Sequence, residues 1–197
     1  SYRRANAKRE YGQIFDFKTG RNTSPAFKGG KYAVSIKEKA WIKPLKQMTK
    51  EEMIDALSNR AKYEKSYVDG SKSLASIHNH PSTGSRCFSG ADIFLTATNK
   101  WENYGIAISD KELWLSEFKG TMSETEAKSI EKKVDRLFTK SKKQAYDIVK
   151  EEYSDLSTKE KVAKESEVLK DVFGDNMLEF FNKKNKKWGI KLTRVRY

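Results

Sequence analysis

The stretch Ile77-His78-Asn79-His80-Pro81-Ser82-Thr83-Gly84-Ser85-Arg86-Cys87-Phe88-Ser89-Gly90-Ala91-Asp92 decides the reading of this chain. It contains both histidines of the sequence, two positions apart. On a strand, residues i and i+2 point to the same face, so the two imidazoles can converge on one cation. Ser89 suits the N-cap of a following helix, which puts Asp92 in its first turn, facing back toward the incoming loop. Two His and one Asp with a fourth position left to water form a zinc set of the catalytic kind. Taken separately, a His-x-His pair and a Ser-x-x-Asp cap are weak signals. Together, in a chain that places its only two histidines here, they make His78, His80 and Asp92 candidate metal ligands.

Outward from this stretch, the pattern is that of a mixed α/β (α+β) domain. SLASIHNH (73–80) reads as a strand, and ADIFLTATNKWE after Ser89 as a helix. Strands are expected at 104–109 and 113–118, flanking a turn at Asp110-Lys111-Glu112. Upstream, YGQIFDF (11–17) and KYAVSI (31–36) read as strands. Thr49-Lys50-Glu51-Glu52 fits a capping box that opens a helix over about 50–64, with Met53, Ile54, Leu57 and Ala61 on one stripe.

From about 121 onward the texture changes to Lys, Glu, Ala and Ser with helical spacing. One long helix or a broken pair is expected over about 123–153. Another opens at Ser157, with Val162, Leu169, Val172 and Phe173 inward, and ends at Gly174. A third, short helix holds Met177 to Phe181, and GIKLTRVRY (189–197) reads as an edge strand or an extended arm. The organisation expected is residues 1–118 as the site-bearing domain and 119–197 as a mainly helical, basic C-terminal region.

The single cysteine excludes an internal disulfide framework and a four-cysteine zinc site. No apolar run reaches the roughly 20 residues that span a bilayer. The opening SYRRANAKRE has no apolar segment behind its basic residues, so no secretory signal is read there. The net charge of +13 invites a nucleic-acid partner. The lysines are interleaved with glutamates, however, as solvated helix faces are. Cys87 has no third histidine to activate it and reads as a small loop residue. Phe88, Phe94 and Trp101 read as packing around the site.

The stretch 77–92 resembles the JAMM motif of the MPN-domain (JAB/Mov34) metallopeptidases: His-x-His-Pro, a short loop, then Ser-x-x-Asp. The resemblance extends over residues 9 to 118, although the loop from Pro81 to Ser89 is one residue longer than in that motif. It implies zinc on His78, His80 and Asp92, with Ser89 stabilising the oxyanion and an upstream glutamate as general base. Glu10, Glu38 and Glu64 are the candidates for that glutamate. The setting of Glu10, just before a strand with a Thr-Gly turn behind it, is similar to MPN-like domains of prophage head proteins and favours Glu10. The activity implied is zinc-dependent hydrolysis of a peptide or isopeptide bond in a protein or peptide substrate. The setting implied is bacterial or phage, cytoplasmic or virion-associated, or that of a secreted effector. The rival expectation is a non-catalytic assembly module that contacts a capsid or nucleic acid through its basic C-terminal region.

Overall fold

Tyr11–Asp16 alternates half-buried and buried side chains and forms β1. The computed structural model describes residues 8–31, 33–81, 84–120 and 122–197, the side chains of 185 and 186 excepted. Two short strands, Arg21–Asn22 (β2) and Phe27–Lys28 (β3), pair with opposite ends of β1. Lys39–Trp41 (β4) and Glu64–Ser66 (β5) make a separate two-stranded sheet that brackets helices α1 (Lys50–Ser58) and α2 (Arg60–Tyr63). Leu74–Asn79 (β6) then runs antiparallel to β1.

β6 leads through helix α3 (Gly90–Thr98) to Tyr104–Ile108 (β7), which lies parallel to it. A parallel pair needs such a crossover. Five of the six β6 residues are buried, as expected of a strand covered on both faces. Glu112–Phe118 (β8) and Ile190–Arg196 (β9) complete the sheet in the order β2-β1-β6-β7-β8-β9, with β3 also on β1. The C-terminal tail is therefore an edge strand, antiparallel to β8.

Between β8 and β9 run two long helices, α4 (Glu124–Glu152) and α5 (Thr158–Trp188). Residues 1–118 and 119–197 share one core: Phe88, Ile93 and Trp114 pack with Ile130, Val134, Phe173, Met177, Phe181 and Leu192. Among the described residues no helix is long and apolar enough to cross a membrane.

Five local expectations are corrected. Residues 33–36 form no strand; Tyr32 lies outside the described residues. The neighbouring edge of β1 is already paired with β3, and Ile36 and Val34 instead fold over Gly12, where a Cβ would lie 2.6 Å from Ile36. The helix expected over 50–64 breaks at Asn59, whose ψ of 46° leaves the helical region. The stripe on α1 is not buried: among the described residues Met53, Ile54 and Leu57 stay exposed. Finally, Gly174 does not end a helix: α5 runs through it and through Met177 to Phe181 as one element. Gly174 lies against the buried ring of Trp114, where a Cβ would sit 3.1 Å from Cζ2, and Val162 on the same helix is exposed.

Candidate metal centre

The C-terminal end of β6 and the N-terminus of α3 meet at the site. His78 and His80 are both buried, on the same face of the strand. Ser89 caps α3 in a full capping box: its Oγ accepts from Asp92 N at 3.2 Å, and Asp92 Oδ2 accepts from Ser89 N at 2.7 Å. This local geometry, set by residues three apart, turns the Asp92 carboxylate toward the strand.

His78 Nε2 and His80 Nε2 are 2.9 Å apart. Asp92 Oδ1 is 3.4 Å from the first, and Asp92 Oδ2 is 3.7 Å from the second. Tetrahedral ligands at zinc bond lengths are separated by about 3.3 Å, so these three spacings bracket the value a bound zinc requires. His78, His80 and Asp92 lie close enough together to hold a metal ion.

The hydrogen bonding also selects the ligand form of His80. Its Nδ1 lies 2.8 Å from the carbonyl oxygen of Ser85, which can only accept. Nδ1 therefore carries a proton, which leaves Nε2 as the ring nitrogen turned to the centre. Burial, aided by His80 and opposed by Asp92, lowers His78 to about 4, so its ring is neutral at pH 7. Burial pushes Asp92 upward, but the two histidines and the Ser89 hydrogen bonds outweigh it and keep the carboxyl below its usual value. Neutral imidazoles and an ionised carboxylate are the states that ligate a cation.

A cavity of about 360 Å³ opens over the three side chains, lined also by Glu10, Ser89, Leu95, Trp101 and Glu102. Glu10 is buried, and burial, then the Asp92 charge, raises its carboxyl to about 7. Its own peptide groups are tied to the 29–30 turn: Glu10 N donates to Gly30 O and Gly29 N to Glu10 O, both at 2.9 Å. Glu38 lines the same cavity from an exposed position, whereas Glu64 lies on β5 with its carboxylate on Arg60. Ser89 also lines the cavity, with its hydroxyl 2.7 Å from Asp92 Oδ2. Cys87 is fully buried, and burial drives its thiol well above the ordinary value, so it offers neither nucleophile nor ligand.

Three residues escaped the sequence reading. Asn79 holds the chain on both sides of Glu10. Glu102 sits buried beside the site and accepts from Ser76, Thr96 and Asn99. Arg86, inside the ligand loop, is 4% exposed and meets the carboxylates of α5. Asn79 and Arg86 act through hydrogen bonds to groups 68 or more residues away along the chain, and Glu102 joins its neighbours Thr96 and Asn99 to the distant Ser76.

No family model, curated protein or solved structure matches this chain.

Proposed function

We propose that the chain is a zinc-dependent hydrolase of the MPN/JAMM kind, cleaving a peptide or isopeptide bond in a protein substrate. The observation that carries this reading is the convergence of His78, His80 and Asp92 at ligand spacing, in a cavity that Glu10 also lines. Zinc on these three side chains would polarise the scissile carbonyl and acidify the attacking water. Glu10, raised to about 7, is poised to take a proton from that water near neutral pH and return it to the leaving amine. Ser89 turns its hydroxyl proton from Asp92 toward the oxygen that gains negative charge. The prophage or bacterial setting rests on the resemblance of residues 77–92. Contact with nucleic acid through the C-terminal tail is less favoured, because Arg194 and Arg196 are engaged by Glu112, Asp171 and Asp175.

The test is elemental analysis of protein purified without chelator. The expected result is about one zinc per chain, lost in His78→Ala and in His80→Ala. Folded wild-type protein with a stoichiometry near zero would sink the reading and leave the assembly-module alternative.

A further inference from the structure

Arg86 lies in the loop that joins the two histidines to Asp92. It follows Ser85, whose carbonyl oxygen orients His80, and precedes Cys87 and Phe88, which are fully buried. A guanidinium that is 4% exposed is costly to desolvate unless carboxylates surround it. Three do. Asp110, in the turn between β7 and β8, is 3.7 Å from Nε. Glu167 is 2.7 Å from Nη2 and Asp171 3.4 Å from Nη1, one turn apart on α5. Among the described residues Nε itself has no hydrogen-bond partner, although it is buried. The guanidinium is thus held by charge from the C-terminal helix.

The helix is in turn anchored to the sheet. Asp171 also accepts from Arg196 of β9 at 3.3 Å, and Arg196 Nε lies 3.2 Å from the fully buried Glu112 of β8. Burial raises the Glu167 carboxyl, yet hydrogen bonds from Lys170 and Arg86 outweigh that and hold it at about 2, so the pairing charge is present at any working pH.

We propose that Arg86 is a positioning residue through which the C-terminal helix α5 sets the geometry of the metal centre. The path is short: Glu167 and Asp171 fix Arg86, the adjacent Ser85 carbonyl fixes the Nδ1 proton of His80, and Nε2 of His80 is thereby aimed at the cation. Outer groups that orient a ligating histidine commonly change metal affinity 10- to 100-fold when removed. This inference rests on the metal-site reading above.

The experiment titrates the full-length, metal-free chain with Co²⁺, recording affinity and the visible d–d spectrum. Arg86→Ala is expected to bind Co²⁺ about 10- to 100-fold more weakly, with altered bands. Arg86→Lys, which restores the charge without the planar fork, should recover part of the loss. Glu167→Gln combined with Asp171→Asn should move affinity and spectrum the same way, by less, since Asp110 remains. Both helix carboxylates are about half exposed and leave no cavity when replaced; should Arg86→Ala not fold, Glu167→Gln alone, which keeps Asp110 and Asp171 on the guanidinium, decides. Val149→Ala, a buried truncation near the end of α4, should lower the melting temperature and leave the spectrum unchanged. If Val149→Ala alters the spectrum as much, the effect is general loosening and the inference falls. It also falls if wild type binds Co²⁺ and the Arg86 and helix variants bind it identically, a result that leaves the metal site itself intact. A wild type that binds no Co²⁺ overturns both readings.

Discussion

Asn79, the residue between the two histidines, grips the chain on either side of Glu10. Its Oδ1 accepts from Tyr11 N at 2.6 Å, and its Nδ2 donates to the carbonyl oxygen of Arg9 at 3.1 Å. The last Cα pair between β1 and β6 on that side is Gly12 with His78, so the Asn79 side chain takes over where the backbone ladder ends. One tripeptide thus presents two candidate metal ligands and, through its middle residue, secures the candidate base. Asn79→Ala would strand a backbone donor and an acceptor, at a cost of about 1–3 kcal/mol for each group left buried. The expected outcome is a lower denaturation midpoint, unchanged zinc content, and slower turnover of any substrate the wild type cleaves. Zinc lost together with turnover would show that Asn79 serves the ligands rather than Glu10.

Glu10→Gln separates base from ligand. The amide keeps nearly the same shape but cannot take a proton, so the variant should bind zinc fully and slow the chemical step by about 10²- to 10⁴-fold. The pH dependence follows from the raised carboxyl. A base works when ionised, and Glu10 ionises at about 7 in the metal-free chain. A bound dication favours the carboxylate and draws that value down. The rate should therefore rise with pH along a limb centred below about 7, and the residual activity of Glu10→Gln should lack that limb. Glu38→Gln, altering an exposed carboxylate on the cavity wall, tests the competing assignment: a comparable loss there would transfer the role.

Glu102 supplies a stability test independent of any substrate. Burial raises its carboxyl to about 7, partly offset by hydrogen bonds from Ser76, Asn99 and Thr96, with Asp92 adding to the rise. Because the folded value exceeds the unfolded 4.5, the folded state holds this proton more tightly. The resulting stabilisation is full below about pH 4.5 and disappears as pH rises through about 7. Glu102→Gln has no such term. Melting temperatures of metal-free protein, taken as wild type minus Glu102→Gln, should fall steadily across that window. A difference that stays flat with pH would mean that Glu102 is ionised throughout.

What the sequence disclosed of the site is what local geometry determines. The facing of His78 and His80 follows from strand period, and the turn of Asp92 from a capping box with Ser89; neither needs a distant partner. Glu10 was reachable only by resemblance, because its place in the cavity depends on β1 pairing with a strand some sixty residues later. Asn79 and Arg86 act on groups far along the chain, and the burial that sets Glu102 apart comes from the strand of Ser76, so none of the three leaves a local pattern. Among the helices, the apolar period of α1 marks a face but not its surroundings: among the described residues Ile54 and Leu57 form a stripe that stays exposed. The C-terminal region differs from the first half in charge and period, and a helical stretch so charged has little core of its own and is expected to pack partly against the first half. Its Phe173, Met177 and Phe181 do so, filling the core with Trp114.

Gly174 shows how a local rule yields to packing, and the contest can be measured. In a helix interior glycine is about 1 kcal/mol less favourable than alanine, so Gly174→Ala gains that much from the backbone. Against this stands the space. A Cβ there would lie 2.7 Å from Nη1 of Arg194 and 3.1 Å from Cζ2 of Trp114. The arginine is the end of a flexible chain and can swing away, but doing so disturbs its contact with Asp175. The indole cannot move as cheaply: Trp114 is fully buried, and its Nε1 donates to the equally buried Glu112 at 2.8 Å. Forcing a methyl into a packed interior costs about 1–3 kcal/mol. The steric term therefore exceeds the propensity gain, and Gly174→Ala should lower the unfolding free energy by about 1 kcal/mol, read from urea denaturation with an unchanged slope. A stabilised Gly174→Ala would mean that α5 can lift from Trp114 without loss. That result would also weaken the case that this helix is held firmly enough to position Arg86.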